Sequence, residues 1–236
     1  MATFLIAHGA WSGGWSWKKV RQRLAARGHE VFTPTYTGLG ERAHLANPEF
    51  GLETHVQDVL GVLEYEDLRE VILLGHSYGG MVATGVADRV PERIRHLVYL
   101  DAFAPRNGQS VFDLVGPEER ARRLEIAKTL GAGWKLPPNP PPDDTGEEDL
   151  AWITPRRVPL ALKSFQQPVK LSGAVDRLPK SYIYCTKARP GDVFRQFRDR
   201  AHEEGWQCFD LEASHSPNVT APDALADILE SLAAAR

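Results

Sequence analysis

Short apolar runs and amphipathic helical stretches take turns along most of this chain, and that alternation leaves few folds open. "TFLIA" (residues 3–7) is a buried strand by its apolar run, "GWSWKKVRQRLAARG" has a helical period closed by Gly28, and "HEVFTP" is a second strand that Pro34 stops. The order repeats with the helix "LETHVQDVLGVLEYE", the strand "EVILLG", the helix "YGGMVATGVADRV" ending before Pro91, and the strand "IRHLVYL". Strands joined through helices run parallel, and a mostly parallel sheet needs helices over both faces. The predicted class is therefore α/β, and its ligands are expected in the loops that follow the strands, at their carboxyl ends.

The alternation stops between Asp101 and Lys180. That stretch holds a helical segment, "PEERARRLEIAKTLG", the proline-rich "KLPPNPPPDD", an acidic patch and a short helical piece around "PLALKSFQQP", with no parallel strand. It then resumes with "SYIYCT", a helix from about Asp192 to Glu204, the strand "WQCFDLE", a loop holding His215, and the closing helix "APDALADILESLAAA". The sequence thus predicts one domain made of residues 1–101 and 180–236, with residues 102–179 inserted after the strand ending near Leu100 as a cap over the strand ends. The proline run is expected to be a solvated linker rather than a peptide ligand. No internal repeat is present.

Composition removes several function classes. With 28 Lys and Arg against 31 Asp and Glu, the formal charge of −3 offers no basic field for nucleic acid or anionic membranes. "MATFLIAHGAW" lacks a basic leader and a signal-length apolar stretch, and nothing later reaches membrane length, so a cytoplasmic protein is expected. Cys185 and Cys208 both fall in strand-like runs, which suits buried reduced thiols better than a disulfide framework or a zinc site. Neither a metal nor a cofactor is called for, and a homodimer is left open.

The chemistry is concentrated in "VILLGHSYGGMVATG", residues 71–85, where Ser77 sits in a G-x-S-x-G pattern between a strand and a helix. Such a corner drives the serine side chain out at the top of the sheet over a helix N-terminus, and Gly75 and Gly79 keep the tight turn free of side chains. Of eight histidines, His215 is the expected base, because "EASHSPNVT" lies between the last strand and the last helix. His76 is expected to point away from the serine, and His8 to bond its own loop. His29, His44, His55, His96 and His202 read as solvated. A tetrahedral oxyanion needs preorganised donors, and the N–H groups of Tyr78 and of Ala10, in the glycine-rich "HGAWSGGW", are placed to supply them. Neither phosphate-cradle pattern, G-x-G-x-x-G or Walker, is present.

"FLIAHGAWSGGWSWKKVRQRLAARGHEVFTP", "VILLGHSYGG" and "SHSPNVTAPDALADIL" together resemble the α/β-hydrolase superfamily. The similarity is to the branch with plant salicylate methylesterases, polyneuridine aldehyde esterase, hydroxynitrile lyases and many bacterial esterases; it spans the sheet and fades in the cap. The resemblance implies Ser77 as nucleophile, His215 as base, Ala10 and Tyr78 as oxyanion donors, and cofactor-free acyl transfer. A small to medium uncharged carboxylic ester, aromatic esters among them, is the expected substrate. Its walls are expected from Trp11, Phe103, Phe112, Trp134, Trp152, Leu162 and Phe165, about half of which are cap core.

The acid that orients His215 has two candidates. Plant esterases of this branch place it after the penultimate strand, where this chain has "KARPGD", with Arg189 or Gly191 at the nearest position and Asp192 displaced toward the next helix. Asp101 directly follows "HLVYL", and haloalkane dehalogenases and zearalenone-type hydrolases look similar there, so Asp101 is preferred over Asp192, whose alternative role is a helix cap. Two other functions stay open. Lyases of this branch depend on a lysine after the histidine and a threonine in the first loop, where this chain has Ser216 and Gly9. A non-catalytic small-molecule receptor on the same fold is the second.

Overall fold

The computed structural model describes residues 1–187 and 191–234. In chain order its elements are β1 (Thr3–Ala7), α1 (Lys18–Ala26), β2 (Glu30–Phe32), α2 (Leu52–Tyr65), β3 (Val71–His76), α3 (Gly79–Arg89) and β4 (Ile94–Leu100). Then come α4 (Val111–Leu114), α5 (Pro117–Leu130), β5 (Lys135–Leu136), α6 (Glu147–Ile153), β6 (Leu160–Ala161) and α7 (Lys163–Gln166). The chain closes with β7 (Lys180–Cys185), α8 (Arg195–Glu203), β8 (Gln207–Leu211), α9 (Pro217–Thr220) and α10 (Pro222–Ala234). Six strands form one sheet in the order β2-β1-β3-β4-β7-β8, every neighbouring pair parallel.

Because successive strand residues face opposite sides, the sheet builds two cores. Leu5, Leu73, Leu97 and Tyr182 pack on one face with Val56 and Leu63 of α2, Met81 and Val82 of α3 and Phe197 of α8. Phe4, Ile72, Val98 and Ile183 pack on the other with Val20 and Leu24 of α1 and Leu225 and Leu229 of α10. A chain buried on both faces explains why β3 reads as a continuous apolar run, all six residues buried.

Between β4 and β7 the sheet gains nothing. The two-residue strands β5 and β6 pair antiparallel with each other, apart from the main sheet, with α5 against β5 and α7 against β6. α4 begins with a capping box: Ser110 Oγ accepts from the Asp113 N–H at 3.3 Å and Asp113 Oδ2 accepts from the Ser110 N–H at 2.8 Å. Trp11 joins this excursion to the first loop, its Nε1–H donating to the Leu136 carbonyl at 2.8 Å.

Candidate active site

The turn after β3 is shaped by what glycine lacks. A Cβ on Gly79 would fall 2.0 Å from the Ala7 carbonyl oxygen, and one on Gly75 would fall 2.6 Å from the Gly79 carbonyl oxygen. Only bare backbone lets α3 start against the ends of β1 and β3. Ser77 takes up the corner with φ of 55°, a left-handed conformation unusual for a residue with a side chain. Its N–H donates to the Leu100 carbonyl at 3.2 Å, and its carbonyl accepts from Gly80 and Phe103 N–H groups at 3.1 and 3.2 Å. The end of β4 therefore fixes the corner from the side.

Asp101 leaves the same strand end, also at positive φ (41°), with its N–H bonded to the Ile183 carbonyl at 2.7 Å. Its side chain, 4% exposed, accepts the Cys185 N–H on Oδ1 at 3.2 Å and meets His215 Nδ1 with Oδ2 at 2.6 Å. His215 Nε2 lies 2.9 Å from Ser77 Oγ. A carboxylate only accepts, so Nδ1 carries the imidazole proton and Nε2 presents its lone pair to the serine hydroxyl. The three side chains come from the loops after β3, β4 and β8, which the parallel sheet brings to one edge.

Asp192 lies elsewhere in the network. Its Oδ2 accepts from the Tyr184 hydroxyl at 2.6 Å and its Oδ1 from the Phe194 N–H at 2.8 Å. It caps the turn that leads into α8, whose own N-cap is Phe194, and it lines the cavity without a bond to His215. Arg189 lies outside the described residues.

Ala10 and Tyr78 flank the serine. Among the described residues neither backbone N–H has a protein acceptor, and Ala10 faces the cavity beside Gly9. The Tyr78 ring is buried, its hydroxyl 2.8 Å from His55 Nδ1. Behind the Ala10 loop, His8 donates from Nδ1 to the Gly9 carbonyl at 2.7 Å and accepts the Tyr36 N–H on Nε2 at 3.3 Å, as its loop-bonding role required. Burial pulls His8 down to about 4.

Two histidine expectations need correction, and a third residue does more than expected. His55 and His29 are buried, not solvated: His55 stacks on Tyr36 at 4.8 Å, and His29 accepts the Ala2 N–H at 3.1 Å. His76 does more than turn aside, because its Nε2–H donates to the His215 carbonyl at 2.7 Å and holds the loop that carries the imidazole. Burial lowers both His55 and His76 to about 3. Nothing in local sequence distinguishes a buried neutral histidine from an exposed one.

A cavity of about 720 Å³ opens on Ser77 and His215. Trp11, Phe103 and Phe165 line it as expected. Trp134 and Trp152 do not: Trp152 packs edge-on against Trp15 at 5.5 Å, so Trp15 reaches the wall instead, and the Trp134 ring is taken by Lys135 Nζ at 4.6 Å. Leu162 packs against the apolar core, while Phe112 meets Phe165 at 6.0 Å and borders a separate hollow. The wall also carries charge that the sequence did not assign. Glu119 pairs with Arg122 and Arg123, both at 2.6 Å, and Arg123 lies 5.2 Å over the Trp11 ring. Ser216 and Gly9 line the cavity and bring no cation to it.

Residues 4–228 match the model of the alpha/beta hydrolase family. The chain is 39% identical to the carbendazim hydrolyzing esterase of Nocardioides sp. (strain SG-4G), over 98% of this chain and 100% of that protein. An extracellular α/β-hydrolase from a Paenibacillus species superposes with a TM-score of 0.83 at 26% identity, covering 98% of both chains. A pyrethroid hydrolase from Sphingobium faniae JZ-2 superposes with a TM-score of 0.75 at 25% identity, over 99% of this chain and 98% of that one.

Proposed function

Because the chain belongs to the α/β-hydrolase family, we propose that it is a serine hydrolase of the carboxylesterase type, cleaving small to medium carboxylic esters through an acyl-enzyme. The observation that carries this reading is the single imidazole of His215, 2.9 Å from Ser77 Oγ and 2.6 Å from Asp101 Oδ2. His215 takes the Ser77 proton as Oγ attacks the ester carbonyl, and Asp101 stabilises the imidazolium that forms. The N–H groups of Ala10 and Tyr78 receive the oxyanion. The imidazolium returns its proton to the leaving alcohol; water, deprotonated by His215, then attacks the acyl carbon and releases the acid and free serine. No group beyond these side chains and water is required.

The aromatic side chains of Trp11, Phe103 and Phe165 give the acyl or alcohol portion an apolar bed. Residues 102–179 serve as the cap that supplies much of that wall. Among the described residues no helix is long and apolar enough to cross a membrane. Cys185 and Cys208 are free thiols, which supports a cytoplasmic setting. Cleavage of cyanohydrins is disfavoured, because Ser216 and Gly9 stand where the lyases of this fold need a lysine and a threonine. A purely receptor role does not require a serine hydroxyl held against a carboxylate-backed imidazole.

The test is a panel of p-nitrophenyl esters, aryl methyl esters, lactones and carbendazim, assayed with wild-type protein and Ser77→Ala. Ester turnover that drops by at least about 10³-fold in the variant, with unchanged circular dichroism, is the expected result. Turnover near the wild-type rate in folded Ser77→Ala refutes the assignment.

A further inference from the structure

Most charges on the cavity wall are already answered. Asp101 is bonded to His215, Asp192 to Tyr184 and Phe194, and Glu119 to Arg122 and Arg123. Glu118 and Lys187 are exposed and water serves them. Arg157 is different. It is half-buried on the same wall, and its guanidinium bonds to one neutral group, the Asn139 carbonyl, at 2.5 Å from Nη1. Among the described residues no carboxylate comes within ion-pairing distance of it. Burial alone acts on its ionisation, pulling it below the ordinary arginine value, whereas Glu119 counters the same effect at Arg123.

A half-buried guanidinium without an anion is only partly compensated, and four of its five N–H donors are left for water or a ligand. The fold nevertheless holds this one on the wall of the cavity that opens on Ser77. The adjacent Val158 N–H donates to the Trp11 carbonyl at 3.3 Å, and Trp11 directly follows Ala10. Arg157 is thus rooted against the loop proposed to receive the oxyanion, and both residues face one cavity with Ser77.

We infer that Arg157 is a specificity residue that receives a carboxylate carried by the substrate at a distance from the scissile ester, so that preferred substrates are half-esters or other carboxylate-bearing esters. The inference rests on the esterase reading of the same site. A planar guanidinium fork matches a carboxylate in two parallel hydrogen bonds, a geometry a lysine cannot reproduce. The aromatic wall then holds the connecting carbon chain, and the anion fixes which end faces Ser77.

Monomethyl adipate and dimethyl adipate differ only in whether the far end is a carboxylate or a neutral ester. We expect wild-type kcat/KM to favour the monomethyl ester by at least about tenfold, and Arg157→Gln to reduce that ratio by at least about fivefold, with Arg157→Lys retaining part of it. Any smaller wild-type ratio, or a smaller fall in Arg157→Gln, overturns the inference; the wild-type ratio stands whether or not the variant folds. Calorimetric binding of both compounds to Ser77→Ala separates this inference from the esterase reading. Arg157-dependent binding of monomethyl adipate without turnover by the wild type keeps the carboxylate site and removes the esterase. Turnover of both esters without preference removes the carboxylate site alone.

Discussion

Replacing Asp101 by asparagine changes one atom at the centre of the network, and the structure says which way the cost falls. Asp101 Oδ1 is held by the Cys185 N–H at 3.2 Å, so the amide oxygen of asparagine keeps that place and the NH₂ faces His215 Nδ1. Nδ1 must then accept, the ring proton moves to Nε2, and Nε2 can no longer take the Ser77 proton across 2.9 Å. The wrong tautomer is worth a loss in kcat on the order of 10³ to 10⁴, about 4 to 5.5 kcal/mol of transition-state stabilisation. The opposite amide orientation sets NH₂ against the Cys185 N–H, two donors face to face, and costs roughly 1–3 kcal/mol of stability instead. The first orientation keeps the Cys185 hydrogen bond and is favoured, so Asp101→Asn should melt within a few degrees of wild type while nearly all turnover is lost. Asp192→Asn should stay within a few-fold of wild-type kcat, since Asp192 bonds to Tyr184 and Phe194 and not to the imidazole. Steady-state kinetics on a chromogenic ester, with melting curves for both variants, decide the matter. A severe loss in Asp192→Asn beside a mild one in Asp101→Asn refutes the assignment of the acid.

Burial keeps His8, His55 and His76 neutral, at about 4, 3 and 3 against 6.5 in the unfolded chain. The unfolded state therefore binds protons first: stability is complete above about pH 6.5 and falls as pH drops from there, toward 4 for His8 and toward 3 for His55 and His76, by up to about 1.4 kcal/mol per pH unit for each histidine. Melting temperature should decline between pH 6.5 and 5, less steeply in His55→Gln, and an identical slope in the variant would show that His55 does not carry its share. Mandelonitrile should release no cyanide above the uncatalysed rate, because the cavity has Ser216 and Gly9 at the two positions in question; enantioselective cleavage would contradict that reading.

What was legible in the sequence was what local sterics dictate. G-x-S-x-G between a buried strand and a helix leaves Ser77 little choice, because Gly75 and Gly79 face backbone atoms at distances no side chain tolerates. Asp101 was readable because it directly ends a strand, and the end of β4 is fixed by the sheet. The wall of the cavity was readable only in part: Trp11, Phe103 and Phe165 line it, whereas Trp134 and Trp152 do not. Trp152 and Trp15 look equivalent in sequence, and only the packing of α6 against the first loop decides which ring lines the cavity. His55 sits among polar neighbours on α2, yet the register of that helix turns it toward Tyr36 and Tyr78. Arg157 belongs to a polar stretch that local patterning reads as surface, and its lack of a carboxylate partner among the described residues becomes visible only in the folded chain.

The central claim, that Ser77 is the nucleophile of an acyl-transfer site, is tested most directly by covalent capture. Wild-type protein treated with an organophosphonate ester should gain one adduct by intact mass, lose esterase activity in proportion, and carry the label on the tryptic peptide containing Ser77. His215→Ala should label far more slowly, since the serine loses the base 2.9 Å away. An adduct on another residue accompanied by loss of activity, or full inactivation with Ser77 unmodified, would contradict the account.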